Sequence, residues 1–331
     1  MENLAVVSIL PPGFLVRPPT MDDLEAVTIM TNASEVADFG TPETTIELVR
    51  TRWLAPGVDL VADNWLVISP GGRVVGYAGI SNNEHARIYA NIRVHPDYQS
   101  QGIATALLQG VEKRARQHVS AAPQGARVTL NTWTSSRNVA MKQLLEQADY
   151  TPVRHSWDME ITMHEAPPVP QWPQGVIVRT IVPGLERAVF ETDNEAFQDH
   201  WGYMPGKFEE WEYWMVKREK FDPTLWFLAF DGDEIAGISL CECERGDGWV
   251  DTLAVRRPWR RKGLGMALLL HSFAEFYRRG THKVGLGVDS QNLTGATRLY
   301  ERAGMHIARQ YDTYQKELRP GVELSTQSIS V

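Results

Sequence analysis

Apolar and polar positions along the chain follow one succession of patterns, and that succession occurs twice. A short apolar run at residues 15–17, and again at 177–179, precedes helical spacing at 24–30 and 185–197, where apolar side chains recur every three to four residues. Two further runs, 226–230 and 234–241, flank Asp231, Gly232 and Asp233, a turn signal that predicts a β-hairpin. Alternation at 88–94 and 249–255 predicts another strand. It places Ile88, Ala90, Ile92 and Val94 on one face of the first copy, and Trp249, Asp251, Leu253 and Val255 on one face of the second. Each of these strands leads through a loop to a strongly apolar helix (104–115; 266–277), a β-branched or apolar strand (128–133; 284–288), a helix (139–147; 295–303) and a last strand. Mixed order of this kind predicts an α/β fold, an α+β sandwich with helices on a central sheet.

The two passes share a register. Trp65 and Trp226, Gly76 and Gly237, Val94 and Val255, and Gly102 and Gly263 are each 161 residues apart. Upstream, Gly13 and Gly175, Arg17 and Arg179, and Asn32 and Asn194 match at 162. A repeat of domain length suits 331 residues, since a domain takes on the order of 150. The predicted boundaries are a first copy at 1–164, a linker at 165–175 whose four prolines favour extended backbone, a second copy at 176–319 and a flexible polar tail at 320–331.

Composition narrows the function classes. With Lys+Arg 33 against Asp+Glu 41 the net charge is −8, which argues against a nucleic-acid partner. Hydrophobic residues at 43% and charged residues at 22% supply a core in each half and exclude global disorder. No apolar run approaches the ~20 residues of a membrane span, and residues 1–11 lack a basic region followed by an apolar one. A cytoplasmic protein without membrane contact is expected. Cys241 and Cys243 stand two apart, too close for a relaxed disulfide, and with no histidine pattern nearby they suggest no metal site.

The candidate chemistry lies where the second-copy strand ends and its apolar helix begins: Val255, Arg256, Arg257, Pro258, Trp259, Arg260, Arg261, Lys262, Gly263, Leu264, Gly265. Amides at a helix N-terminus are unpaired and partly positive, and glycine lets a pyrophosphate come close to the backbone. The loop is neither the nucleotide P-loop nor a dinucleotide fingerprint. Alternatively, such a basic run is a solvated surface.

Here the sequence resembles the GNAT superfamily of acetyl-CoA-dependent N-acetyltransferases. The family signature Q/R-x-x-G-x-G/A fits Arg260, Gly263 and Gly265, and in the first copy Gln99, Gly102 and Ala104. Asn292 followed eight residues later by Tyr300, in the run that ends at Gly304, fits a second family feature. The resemblance implies two tandem domains, each a splayed mixed sheet flanked by helices, with acetyl-CoA lodged where the strands part. The pantetheine arm would pair with backbone at Leu253, Ala254 and Val255. Arg260, Arg261, Lys262, Gly263, Leu264, Gly265, Met266 and Asn292 would complete the cofactor site, and Tyr300 would protonate the departing thiolate. The first-copy counterparts are Ile92, Val94, Gln99, Ser100, Gln101, Gly102, Ile103 and Ala104.

The copies are unequal. Aligning 137–149 with 292–304 puts Leu145 at the tyrosine position and Asp149 at the glycine, so catalysis is expected in the second copy alone. Many relatives carry Glu where this chain has Trp249. Asp251 is therefore the first candidate for a base, with Glu195 and Asp199 behind it. Asp251 could instead pair with Arg245 or Arg256, and Tyr300 could be an ordinary core tyrosine. An aromatic segment bearing His200, Trp201 and Tyr203 stands where relatives build the acceptor pocket, and reads equally as a staple over the sheet. These residues and Glu195 are the candidate acceptor contacts. The expected activity is acetyl transfer to a small primary amine. The tandem arrangement is also similar to mycothiol synthases within the superfamily, which implies a cysteinyl amine as acceptor. A non-catalytic CoA sensor or interaction protein is the alternative of a different class.

Overall fold

The computed structural model of the chain describes residues 10–244, 246–292 and 295–327. Residues 1–9, part of the segment searched for a leader, and 328–331 of the expected tail lie outside the described residues, as does Arg245. Two compact units result, 1–154 with 311–324 and 155–310 with 325–331. Among the described residues no helix is long and apolar enough to cross a membrane.

Unit 1 holds a mixed sheet in the order β1 (Leu15–Arg17), β2 (Asn64–Ile68), β3 (Val74–Asn83), β4 (Arg87–Val94), β5 (Val128–Ser135). Residues 311–319 of the long last strand β12 (His306–Arg319) complete it antiparallel to β5. Helices α1 (Leu24–Phe39) and α2 (Ile46–Trp53) cover one face through Val27, Met30, Val49 and Trp53 on Leu66 and Tyr77. On the other face, α3 (Ile103–His118) and α4 (Val139–Gln147) bury Ile103, Leu107, Val111 and Leu145 against Val67, Val75 and Ile88.

Unit 2 repeats this plan. Its sheet runs β7 (Val176–Thr180), β8 (Trp226–Asp231), β9 (Glu234–Glu244), β10 (Asp247–Val255), β11 (Lys283–Asp289), closed by residues 156–162 of β6 (Thr151–Thr162). Asp231 pairs with Glu234, so Gly232 and Asp233 form the hairpin turn, and Gly232 takes the left-handed φ of +61° that the turn demands. Helices α5 (Glu186–Phe197) and α6 (Phe208–Met215) cover one face, while α7 (Leu264–Arg278) and α8 (Ala296–Arg302) cover the other.

Two features of these sheets position the site. β10 and β11 are paired in parallel only at Gly248 with Val284 and at Trp249 with Gly285, and then separate. In unit 1, β4 and β5 stay paired over four positions, from Arg87 to Ala90. The second feature corrects the alternation expected for β10. Val250 pairs with Cys241 and Thr252 with Leu240, so Asp251 is an inserted bulge residue. A bulge reverses the parity of the strand. Trp249 lies over Gly285 on the α5 face, its ring 2.5 Å from where a Cβ of Gly285 would be, whereas Leu253 and Val255 pack with the α7 core. Trp249, Asp251, Leu253 and Val255 therefore do not share one face. β4 has no such shift against β3, and Ile88, Ala90 and Ile92 are buried together.

Candidate functional site

At the end of β10 a single turn (Arg257–Trp259) delivers the chain to α7. Arg261 (φ +63°) and Gly263 (φ +86°) are both left-handed, which turns successive amides inward to form a concave, anion-favouring surface. A Cβ on Gly263 would meet nothing within 4 Å, so its dihedral, not crowding, requires glycine. Gly265 stands close to α8, where a Cβ would lie 3.2 Å from Leu299 Cδ1, a tight contact that a small shift of that side chain would have to relieve. No side chain caps α7 at Gly263 and no acid stands in its first turn; α2, by contrast, has the Thr45 hydroxyl on Leu48 N–H and Glu47 beside it. The first amides of α7 are thus left for an outside anion.

Part of the basic run is spent on holding this loop. Arg257 and Arg260 both donate to Asp199, whose side chain is only 3% exposed, and Arg260 reaches Val255 O and Ala196 O at 3.0 Å each. The loop is thereby tied to the end of α5. Arg256 binds Glu195 at 2.7 Å and Glu234 at 3.2 Å. Hydrogen bonds from Arg257, and then from Arg260, hold the Asp199 carboxyl down at about 2 despite its burial. A depressed carboxyl pKa contributes stability that is complete above the unfolded value near ~4 and is lost as pH falls towards 2. Asp199→Asn is expected to lower stability by about 1–3 kcal/mol at pH 7 and to loosen the loop. Melting temperatures of both proteins should converge between pH 4 and pH 2; a gap of constant size over that range would refute this role.

Beyond the separation of β10 from β11, a cleft of about 670 Å³ opens in unit 2. Leu253, Ala254, Val255, Arg260, Arg261, Gly263, Leu264, Gly265 and Met266 line it, together with His200, Asp199 and Tyr300. Lys262 and Asn292 do not. Tyr300 is 7% exposed, and its hydroxyl has no hydrogen-bond partner among the described residues. Burial pushes its pKa up to about 12, so the phenol keeps its proton at neutral pH.

The acceptor-side candidates separate. His200 borders the cleft with its ring centroid 4.2 Å from that of Phe197, and burial lowers its pKa. Trp201 is tied to Gln327 at 2.8 Å, Tyr203 donates to Asn194 at 3.3 Å, and Glu195 is held by Arg256; none of the three lines the cleft. Asp251 pairs with Arg218 at 2.8 Å, and the same guanidinium holds Glu242 at 2.6 Å. Arg218 thus takes the place expected for Arg256, and the other expected partner, Arg245, lies outside the described residues. Sequence reading missed Arg218, Arg298, Leu299 and Arg302. The last three were in view as the turn of helix around Tyr300, and all three line the cleft.

Unit 1 builds the same loop with other side chains. Ser100 (φ +62°) and Gly102 (φ +78°) are left-handed, and α3 starts at Gly102 with no side-chain cap and no acid in its first turn. Ile92, Val94, Gln99, Ser100, Gly102 and Ala104 line a cleft of about 240 Å³; Gln101 and Ile103 do not, and Ile103 is buried in the core. At the place of Tyr300 stands Leu145, fully buried.

Comparison with known proteins gives the family and the fold. The sequence model of the acetyltransferase (GNAT) family matches residues 33–148 and 187–305. The chain is 28% identical over 298 residues to a mycothiol acetyltransferase of Thermobispora bispora, covering 86% of this chain and 93% of that protein. It is 27% identical over 305 residues to the mycothiol acetyltransferase of Catenulispora acidiphila, covering 88% and 94%. Among solved structures, a GCN5-related N-acetyltransferase from Sphaerobacter thermophilus is similar over 96% of this chain and all of that one, with 39% identity and a TM-score of 0.82. A tandem GNAT protein from the clavulanic acid biosynthesis pathway shares the fold, at 17% identity, a TM-score of 0.72, and coverage of 93% and 100%.

Proposed function

The chain belongs to the acetyltransferase (GNAT) family, and from that premise we propose that it is an N-acetyltransferase that moves the acetyl group of acetyl-CoA to a small primary amine in unit 2 alone. The observation that carries this reading is the pairing, in one cleft, of an uncapped helix N-terminus with a buried, protonated tyrosine; unit 1 has the first without the second. The amides of Leu264, Gly265 and Met266 would hold the pyrophosphate, and the unpaired edge of β10 at Leu253 and Val255 would receive the pantetheine arm as an added strand. The donor supplies a thioester carbonyl activated for attack. As the amine nitrogen bonds to the carbonyl carbon and the carbon–sulfur bond breaks, the amine proton leaves through water to Asp251, which does not itself line the cleft, and Tyr300 gives its proton to the sulfur. Solvent then restores both groups. Arg218 orients the Asp251 carboxyl for this task.

Relatives named mycothiol acetyltransferases support a cysteinyl amine on a thiol glycoside as the acceptor within this class. A panel of primary amines that includes such a compound, assayed for CoA thiol release and by mass for the acetylated product, tests the reading. Amine-dependent release with a new amide is expected. CoA bound by the protein with no transfer to any amine would favour a non-catalytic CoA sensor instead.

A further inference from the structure

A primary amine sheds two protons on its way to an amide. One leaves as the nitrogen bonds to the carbonyl carbon, and Asp251 receives it in the reading of unit 2. The other leaves earlier. An α-amine, with a pKa of ~8, reaches the protein at neutral pH mostly as an ammonium ion, whose nitrogen has no lone pair for attack. That first proton needs a receiver within the cleft.

Among the described residues that line the cleft of unit 2, the titratable side chains are Asp199, His200, Tyr300 and five arginines. Arginine does not give up its proton, and Tyr300, with its pKa raised to about 12, keeps its own. The Asp199 carboxylate is taken by Arg257 and Arg260 and held down at about 2, which makes it too weak a base. His200 is left. Burial lowers its pKa and Arg260 adds to this, while the carboxylates of Asp289 and Asp199 oppose them. The imidazole is therefore neutral at pH 7, and neither ring nitrogen has a hydrogen-bond partner among the described residues.

The chain fixes this imidazole from both sides. Before it stands the clamped Asp199, and its ring lies on Phe197. After it, residues 201–203 are fastened to the C-terminal segment: Gly202 N–H donates to Thr326 O at 2.6 Å, Thr326 N–H to Tyr203 O at 2.9 Å, and the Trp201 indole to Gln327. Unit 1 shows that this is a cleft position by architecture. The register that matches Asn32 with Asn194 puts Asp38 at the place of His200, and Asp38 lines the cleft of unit 1.

We propose that His200 is the base that takes the ammonium proton of the acceptor before attack in unit 2. The ammonium N–H bond breaks as an N–H bond forms on the imidazole, and the imidazolium later passes that proton to solvent. This rests on the reading of unit 2 as an acetyltransferase site.

His200→Gln, which keeps a neutral polar side chain, tests it. The assay follows CoA release with the cysteinyl thiol glycoside, or with the amine of the panel that wild type prefers. At pH 7 the kcat/KM of the variant for the amine should fall by about 100-fold. One pH unit above the pKa of the free amine, where the acceptor arrives without its extra proton, the variant should come within about threefold of wild type. Its affinity for CoA, measured by calorimetric titration, should stay within about twofold. Asp251→Asn should be impaired at both pH values, since the second proton leaves at either. A His200→Gln deficit of one size at every pH would make His200 a binding or structural residue and overturn the proposal, as would an unaltered rate at pH 7. Absence of transfer by wild type to any amine would overturn the acetyltransferase reading of unit 2 as well.

Discussion

Tyr300→Phe is expected to lower kcat by about 100-fold while leaving the KM for acetyl-CoA within about threefold. The phenyl ring is kept, so the packing of α8 on the α7 core is kept; only a hydroxyl with no hydrogen-bond partner among the described residues is removed. A solution thiol has a pKa near ~8.5 and a phenol with a pKa near 12 would donate to its thiolate only uphill. Burial alters that balance for both groups. A thiolate expelled inside the cleft loses part of its hydration and is destabilised, which brings proton transfer from Tyr300 closer to balance. The size of the effect is set at the low end for general acid catalysis because a thiolate is already a tolerable leaving group. The pH profile gives a second readout. With its pKa raised, Tyr300 stays protonated through pH 10, and no loss of kcat below that pH should trace to it. Unchanged kcat in the phenylalanine variant would remove Tyr300 from the acid role, and an equal rise in KM would assign it to donor binding.

The repeat, the element order and the basic loop were legible in the sequence because each is written in local pattern. Strand partners were not. Residues 311–319 and 156–162 read as the last strand of their own copies, yet the first completes the sheet of unit 1 and the second that of unit 2. Alternation says which face of a strand is buried and nothing about which edge it joins. The same limit hid the bulge at Asp251. One inserted residue reverses the face of everything before it while the apolar period on either side stays intact, so Trp249 and Leu253 read as neighbours on one face and are not.

At the site, residues that act through the backbone were found and residues that act through long side chains were misjudged. Gly263 and Gly265 announce a left-handed turn and a close helix contact, and both functions hold in the structure. Arg260 also carries the family signature, but its guanidinium is directed at Asp199 and two carbonyl groups, a contact made over 61 residues of chain that no local pattern reports. Asp199 looked like a possible base and is instead a clamp, held ionised by two arginines. Chemistry that depends on a chain turn is readable from sequence; chemistry that depends on which cation meets which anion waits for the fold.

Gly263→Glu is expected to weaken CoA binding in unit 2 by more than 100-fold with little loss of fold stability. The two effects have different causes and oppose each other in stability. A side chain at φ +86° costs about 1–2 kcal/mol. A carboxylate at the uncapped start of α7 returns about 0.3–1 kcal/mol by facing the partly positive helix end, and no atom lies within 4 Å of the new Cβ to be displaced. The melting temperature should therefore fall by only a few degrees. For the ligand both contributions are adverse. The carboxylate occupies the amides that would hold the pyrophosphate, and its charge repels the phosphates that approach. Gly263→Ala separates the causes, since it pays the dihedral cost without the charge; its CoA affinity should fall by about tenfold or less. Titration of the three proteins with CoA, alongside their melting curves, checks both predictions. A glutamate variant that still binds CoA like wild type in unit 2 would sink the cradle assignment. An alanine variant as impaired as the glutamate variant would show that the left-handed turn alone, and not an anion site, is what the ligand requires.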